Sequence, residues 1–105
     1  MPSNRNSTYI TDVAEQGVMN FTASQVSVAA SATLILAANT LIRGRVLTNT
    51  HASATVYIGA TSAVTTATGH PLTAGASMSI PYTGTLYGIT ASATVVVGAS
   101  EIYDS

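Results

Sequence analysis

Short segments that alternate apolar and polar residues, each followed by a turn signal, dominate the sequence from Gln25 to Tyr103. The segments QVSVA at 25–29, SMSIP at 77–81 and LYGIT at 86–90 show the period of two that a strand presents to the two faces of a sheet. Turn-forming residues separate such segments at intervals of about eight to twelve residues. This pattern predicts an all-β fold, an antiparallel β-sandwich of jelly-roll type.

The stretch from Ile42 to Ile58, IRGRVLTNTHASATVYI, holds two β-rich runs around a short polar turn. We interpret it as a β-hairpin. In its second run Val56 and Ile58 point to the same face, so both are predicted to be buried.

Residues 29–41 are open to two interpretations, because Ala and Leu are also the best helix formers. The Ser and Thr content and the lack of charged residues for a solvent face favour two strands, with Leu34 and Leu36 on one face. Residues 59–75 are predicted to form a long loop that Val64 and Leu72 hold on the core. Most of the bulk of the core is expected from the following side chains: Phe21, Tyr57, Leu72, Met78 and Tyr87.

Charged residues make up 7% of the chain, against roughly 25% in an ordinary domain. A net charge of -1 with three cationic side chains argues against nucleic acid as a partner, because a phosphate backbone needs several neutralising contacts. Low charge reduces the desolvation cost of self-association, which favours a homo-oligomer.

No apolar run approaches the about 20 residues of a membrane span, and the polar start of the chain lacks the apolar region of a signal peptide, so we expect synthesis in a host cytoplasm and no membrane partner.

Residues 1–20 differ in composition from the rest and are interpreted as an extended N-terminal arm that precedes one β-sandwich domain at 21–105. A frayed terminus is one interpretation of the arm, and a segment that becomes ordered on a neighbouring subunit is the other. The apolar content of the arm favours the second. We assign its apolar residues to an interface: Tyr9, Ile10, Val13, Val18 and Met19.

Residue types that carry chemistry are few. His51 and His70 lie in predicted turns, and no HxH or HExxH spacing is present. The four carboxylates lie near the two termini, and the sequence has no cysteine, no GxSxG motif and no glycine-rich phosphate loop. We therefore predict no catalytic residue, no metal site, no cofactor and no enzymatic activity.

Arg43 and Arg45 flank Gly44 and are predicted to share a face of their strand. Arg45 is expected either to form a structural ion pair with a carboxylate such as Glu101 or to make a contact between subunits. Both arginines are added to the interface residues on the second interpretation.

Five short motifs of the chain resemble a group of small structural proteins of tailed phages, of the head-decoration or cement type. They are Ala38-Asn39-x-x-Ile42-Arg43, Leu47-Thr48-Asn49-Thr50, Thr55-Val56-Tyr57-Ile58-Gly59, Val64-Thr65-x-x-x-Gly69-x-Pro71-Leu72-x-x-Gly75 and Leu86-Tyr87-x-Ile89. The likeness covers residues 33–103. It implies a small β-sandwich that clamps neighbouring capsid subunits from outside.

The sequence is therefore compatible with three functions. The first is a virion structural protein that decorates or cements a bacteriophage capsid by binding between subunits of the major capsid protein. We expect it on the capsid surface as a homo-oligomer, a trimer because capsid lattices offer three-fold sites. The second is a carbohydrate- or receptor-binding domain on a phage tail or fibre, which exposed tyrosines such as Tyr82 and Tyr103 would favour. An enzyme is the third and has the least support.

Overall fold

The structure is a computed structural model, and it describes residues 19–104. All regular secondary structure in that range consists of β-strands, which confirms the all-β prediction and the strand at 33–36. The strands are β1 Met19–Val28, β2 Thr33–Leu36, β3 Ile42–Asn49, β4 Val56–Gly59, β5 His70–Leu72, β6 Ser77–Ser79, β7 Leu86–Thr90 and β8 Val95–Asp104. Residues 19–104 include no helix with the length and apolar character that a membrane crossing requires.

Two antiparallel sheets of four strands pack together as a sandwich, as the alternating segments predict. The strand order is β1-β8-β3-β6 in the first sheet and β2-β7-β4-β5 in the second. The pairing is nested: β1 pairs with β8, β2 with β7, β3 with β6, and β4 with β5. The jelly-roll type expected from the alternating segments stays a prediction.

The core lies between the two sheets and is built from medium-sized aliphatic side chains. Val56 and Ile58 are 0% and 5% exposed, which confirms their predicted burial. Val64 and Leu72 are also buried, as expected of residues that hold the 59–75 segment on the core. The buried cluster consists of Val28, Ile35, Leu36, Leu47, Val56, Ile58, Leu72, Leu86, Val95, Val97 and Ala99.

The predicted hairpin from Ile42 to Ile58 is wrong, because its two strands belong to different sheets. β3 pairs with β8 and β6, whereas β4 pairs with β7 and β5. The chain crosses between the sheets after the buried Asn49, whose Nδ2 donates to the carbonyl oxygens of Ala54 and Leu72 at 2.8 Å each. The alternation identifies each strand correctly, but it carries no information on the partner strand.

Several local expectations also differ from the structure. Phe21 is 68% exposed and does not belong to the core. A register shift between Leu34 and Leu36 separates these two side chains, so Leu34 is exposed while Ile35 and Leu36 are buried. β1 begins at Met19, two residues before the predicted start of the domain.

Truncation of Ile58 tests the register of β4. We expect Ile58→Ala to lower the free energy of unfolding by about 2–5 kcal/mol, because it leaves a cavity between the sheets. The matched control is Leu34→Ala, which shortens a side chain that is 45% exposed and should cost less than about 1 kcal/mol. Urea denaturation measures both values, and equal losses in the two variants would contradict the assigned faces.

Candidate functional site

The outward side of the first sheet, which contains the three longest strands, is here called the outer face. On β8 the residues Val95, Val97 and Ala99 are buried against the second sheet. The intervening residues of β8 therefore point outward. Residues paired directly across an antiparallel ladder share a face, so the register extends the outer face to β1 and β3.

Three rows of side chains run across the outer face from β1 through β8 to β3. They are Phe21–Ile102–Gly44, Ala23–Ser100–Val46 and Gln25–Gly98–Thr48. None of these side chains is ionisable. Rows of this composition can be covered by another protein without desolvating a charge.

Exposed apolar side chains concentrate on or beside the outer face. Phe21, Met19, Ile102 and Val46 lie on it and are 41–68% exposed, and Leu41 precedes β3 with 47% exposure. Single exposed apolar residues are common on any protein surface. Several on one sheet face are typical of a site that binds another protein.

A shallow groove of about 370 Å³ crosses the middle of the outer face. Its lining includes Ala23, Gln25, Val46, Thr48, Gly98 and Ser100. The side chains around it are small or flexible, so backbone atoms of the sheet lie close to the surface there.

Gly98 explains why the groove is open, and Gly44 is a second open position on the outer face, outside the groove lining. A Cβ atom added to Gly98 would come no closer than 3.9 Å to another residue, and one added to Gly44 would meet nothing within 4 Å. Neither glycine has a positive φ. The domain itself therefore does not require glycine at either position, and a glycine inside a strand is typical of a place where another backbone or a ligand approaches closely.

Arg43 and Arg45 do not share a face, contrary to the sequence prediction. The register shift between Ile42 and Gly44 makes Arg43 the extra residue of a β-bulge. The Arg43 side chain stays exposed and its Nε donates to Oδ2 of Asp104 at 3.0 Å. Arg45 instead turns into the domain and is 1% exposed.

The buried Arg45 guanidinium joins the first sheet to the loops next to β2 and β7 of the second sheet. Its Nε donates to Oε2 of Glu101 at 2.8 Å, which is the structural ion pair considered from the sequence. Nη1 donates to the carbonyl oxygens of Tyr82 and Gly84, and Nη2 donates to that of Ala37 at 2.6 Å. Because its side chain lies inside the domain, Arg45 is not exposed for a contact with another subunit.

Of the arm residues assigned to an interface, Tyr9, Ile10, Val13 and Val18 lie outside the described residues. Met19 is the first residue of β1 and is 48% exposed on the outer face. The sequence analysis placed Met19 in the N-terminal arm, whereas in the structure its backbone pairs with Asp104 in the first sheet.

Apart from Met19, the residues of the outer face were missed by sequence reasoning. The available signal was the presence of Gly44 and Gly98 inside runs of β-formers, where glycine is disfavoured. Phe21 was noticed, but it was assigned to the core on size alone.

His51 has a role in local structure. Nδ1 of His51 accepts hydrogen bonds from the backbone N–H groups of Ser53 and Ala54 at 3.0 and 2.9 Å, which closes the turn after β3. His70 is exposed in β5. Within residues 19–104, no three His, Asp or Glu side chains come together in an arrangement that could hold a metal ion.

Comparison with known proteins adds a likeness in fold. No protein-family model and no curated protein matches the sequence. Among solved structures, the chain is similar to one described as "Bacillus endospore appendages form a novel family of disulfide-linked pili", with a TM-score of 0.50 and 19% sequence identity. The match covers 82% of this chain and 86% of that one. At this identity the likeness concerns the fold alone.

Removal of the Arg45 side chain tests its structural role. We expect Arg45→Ala to lower the free energy of unfolding by about 3–5 kcal/mol, because it leaves Glu101 unpaired and three carbonyl oxygens without a donor. The control Glu101→Gln keeps an oxygen acceptor for Nε and should cost less. Thermal and urea denaturation measure both, and a loss below about 1 kcal/mol for Arg45→Ala would contradict the role.

Proposed function

We propose that this protein is a non-enzymatic structural protein that decorates or cements a bacteriophage capsid, with its outer face bound between subunits of the major capsid protein on the virion surface. The observation that carries the proposal is the open groove over Gly98, which is lined by side chains that carry no ionisable group. The sequence resemblance to phage decoration proteins supplies the partner.

The outer face is suited to binding another folded protein. Two packed sheets lie about 10 Å apart when ordinary side chains separate them. At Gly44 and Gly98 no side chain keeps a partner away, so a loop or a large side chain of the partner can reach the backbone of the sheet. Phe21 and Ile102 are opposite each other on adjacent strands and supply the apolar anchor beside this groove.

The electrostatics of the domain are consistent with a permanent contact. No ionisable side chain occurs in the three rows that cross the outer face, so binding there rests on apolar burial and on hydrogen bonds. Salt screens interactions between exposed charges but has little effect on buried apolar contacts. Attachment is therefore expected to persist at high ionic strength.

The pilus structure with the similar fold supports the coarser part of the proposal, a structural role within an assembly. That structure is described as belonging to disulfide-linked pili. The present sequence contains no cysteine, so these residues supply no disulfide to an assembly.

A carbohydrate- or receptor-binding role on a tail or fibre is the second candidate. A cavity of about 300 Å³ lies beside Tyr82, which is 42% exposed, and its lining also includes Ile58, His70, Met78, Ile80 and Leu86. An aromatic ring with a few polar groups around an apolar cavity is a typical binding-site composition. A glycan-array signal that disappears in Tyr82→Ala would favour this candidate over decoration.

Filling the groove tests the proposed function. We expect Gly98→Tyr to fold normally, because the position is open, and to reduce binding to capsids that lack the protein by at least about tenfold. Ser62→Tyr adds the same side chain to an exposed loop and should bind as the unchanged protein does. Co-sedimentation with capsids measures binding. Normal binding of Gly98→Tyr, or release of the unchanged protein at about 1 M salt, would contradict the proposal.

The N-terminal segment is proposed as a second attachment element, on the basis of its apolar residues. Because β1 begins at Met19, deletion of residues 1–18 should leave the sandwich folded, with a circular dichroism spectrum typical of β-sheet. We expect the shortened protein to lose binding to capsids in the same sedimentation assay. Full binding after the deletion would show that the outer face alone is sufficient.

A further inference from the structure

The four edges of the two sheets are protected very differently. β5 and β6 have three residues each and β2 has four, and β5 contains Pro71. Short strands and prolines are devices that prevent an edge from pairing with another chain. β1 has ten residues with no proline and no charged side chain, so it has none of these protections.

Within residues 19–104, β1 pairs only with β8, and the backbone groups on its other edge can be identified from the hydrogen bonds of β8. The backbone N–H of Thr50 donates to the carbonyl oxygen of Val96, so the even-numbered residues of β8 bond towards β3. The odd-numbered residues of β8 then bond towards β1, where their partners are even-numbered. The N–H and C=O groups of the odd-numbered residues of β1 therefore point away from the sheet. These residues are Met19, Phe21, Ala23, Gln25 and Ser27.

The side chains of β1 bury little within one chain. Seven of its ten residues are exposed and only Val28 is buried. A strand held by a single ladder, with little side-chain burial, gains most from a second ladder on its other side. The exposure extends over both faces from residue 21 to residue 25.

We propose that the free edge of β1 pairs with β1 of a second copy, antiparallel and about a two-fold axis, which joins two first sheets into one sheet of eight strands. A symmetric antiparallel pairing places odd-numbered residues opposite odd-numbered ones in every register. Because β1 has no charged residue, no register places like charges opposite each other. On β8, Glu101 lies opposite Thr22 and Asp104 lies opposite Met19, and these carboxylates are engaged by Arg45 and Arg43.

A second copy fits this edge better than an unrelated strand does. In a two-fold contact β1 pairs with itself, and because β1 is neutral along its whole length, this self-pairing brings no like charges together. Such a contact closes at two copies. The pairing inferred from the edge is thus dimeric, unlike the trimer expected from the three-fold sites of a capsid lattice. A contact between two β1 strands is small compared with a stable protein–protein interface, so we expect a dissociation constant for the dimer on the order of micromolar.

Analytical ultracentrifugation of the full chain over a concentration series tests the pairing. We expect a mass that rises from 10.6 kDa for one chain to about twice that value. Ala23→Lys places a charge from each copy at the pairing line and should raise the dissociation constant at least about tenfold. Ala67→Lys makes the same substitution in an exposed loop and should leave it unchanged. A monomer at about 100 µM, or a dimer unaffected by Ala23→Lys, would overturn the proposal.

Amide hydrogen exchange at single-residue resolution gives an independent readout. In a monomer the N–H groups of Ala23 and Gln25 face solvent and exchange quickly, whereas those of Thr22 and Ser24 bond to β8 and are protected. In the paired dimer all four should be protected. Persistent alternation at concentrations where the dimer is populated would exclude β1 pairing. Self-pairing requires no capsid, so these results are independent of the capsid-binding test.

Discussion

The buried guanidinium of Arg45 is the contact on which the arrangement of one end of the sandwich depends. Its four hydrogen bonds join β3 and β8 to the segment that leaves β2 and to the segment that enters β7. A buried ion pair contributes little net stability compared with apolar packing, because desolvation offsets the attraction. Its value lies in geometry, since a planar group with five donors accepts only one arrangement of the surrounding carbonyl groups.

This use of charge also explains the neutral surface. Residues 19–104 contain four side chains of the Asp, Glu, Lys and Arg types, and the two ion pairs Arg45–Glu101 and Arg43–Asp104 engage all of them. The faces and edges that remain rely on Ser, Thr, Ala and Gly. Surfaces of this kind neither repel a second copy nor require desolvation of a charge on contact, which is why β1 and the outer face are suited to bind protein.

Much of the fold could be predicted from sequence, because strand alternation is a local property. The burial of Val56 and Ile58 followed from it directly. Strand partners could not be predicted, since nothing in IRGRVLTNTHASATVYI distinguishes a hairpin turn from a crossing between sheets. The sheet faces predicted for Leu34 and Arg43 were wrong because of register shifts in their strands, since one extra residue inverts the alternation. The groove was not predicted, because it results from the lack of a side chain at Gly98.

The free edge of β1 and the outer face are compatible as binding elements, because they use different groups. Pairing of β1 uses backbone N–H and C=O groups in the plane of the sheet, whereas the groove over Gly98 opens perpendicular to it. Two paired copies would present two outer faces on the same side of one sheet. When two weak sites are linked rigidly, the second contact becomes intramolecular, and the combined affinity can exceed either one by about 10²–10⁴. A small, neutral face could in this way hold its partner firmly without any charged contact.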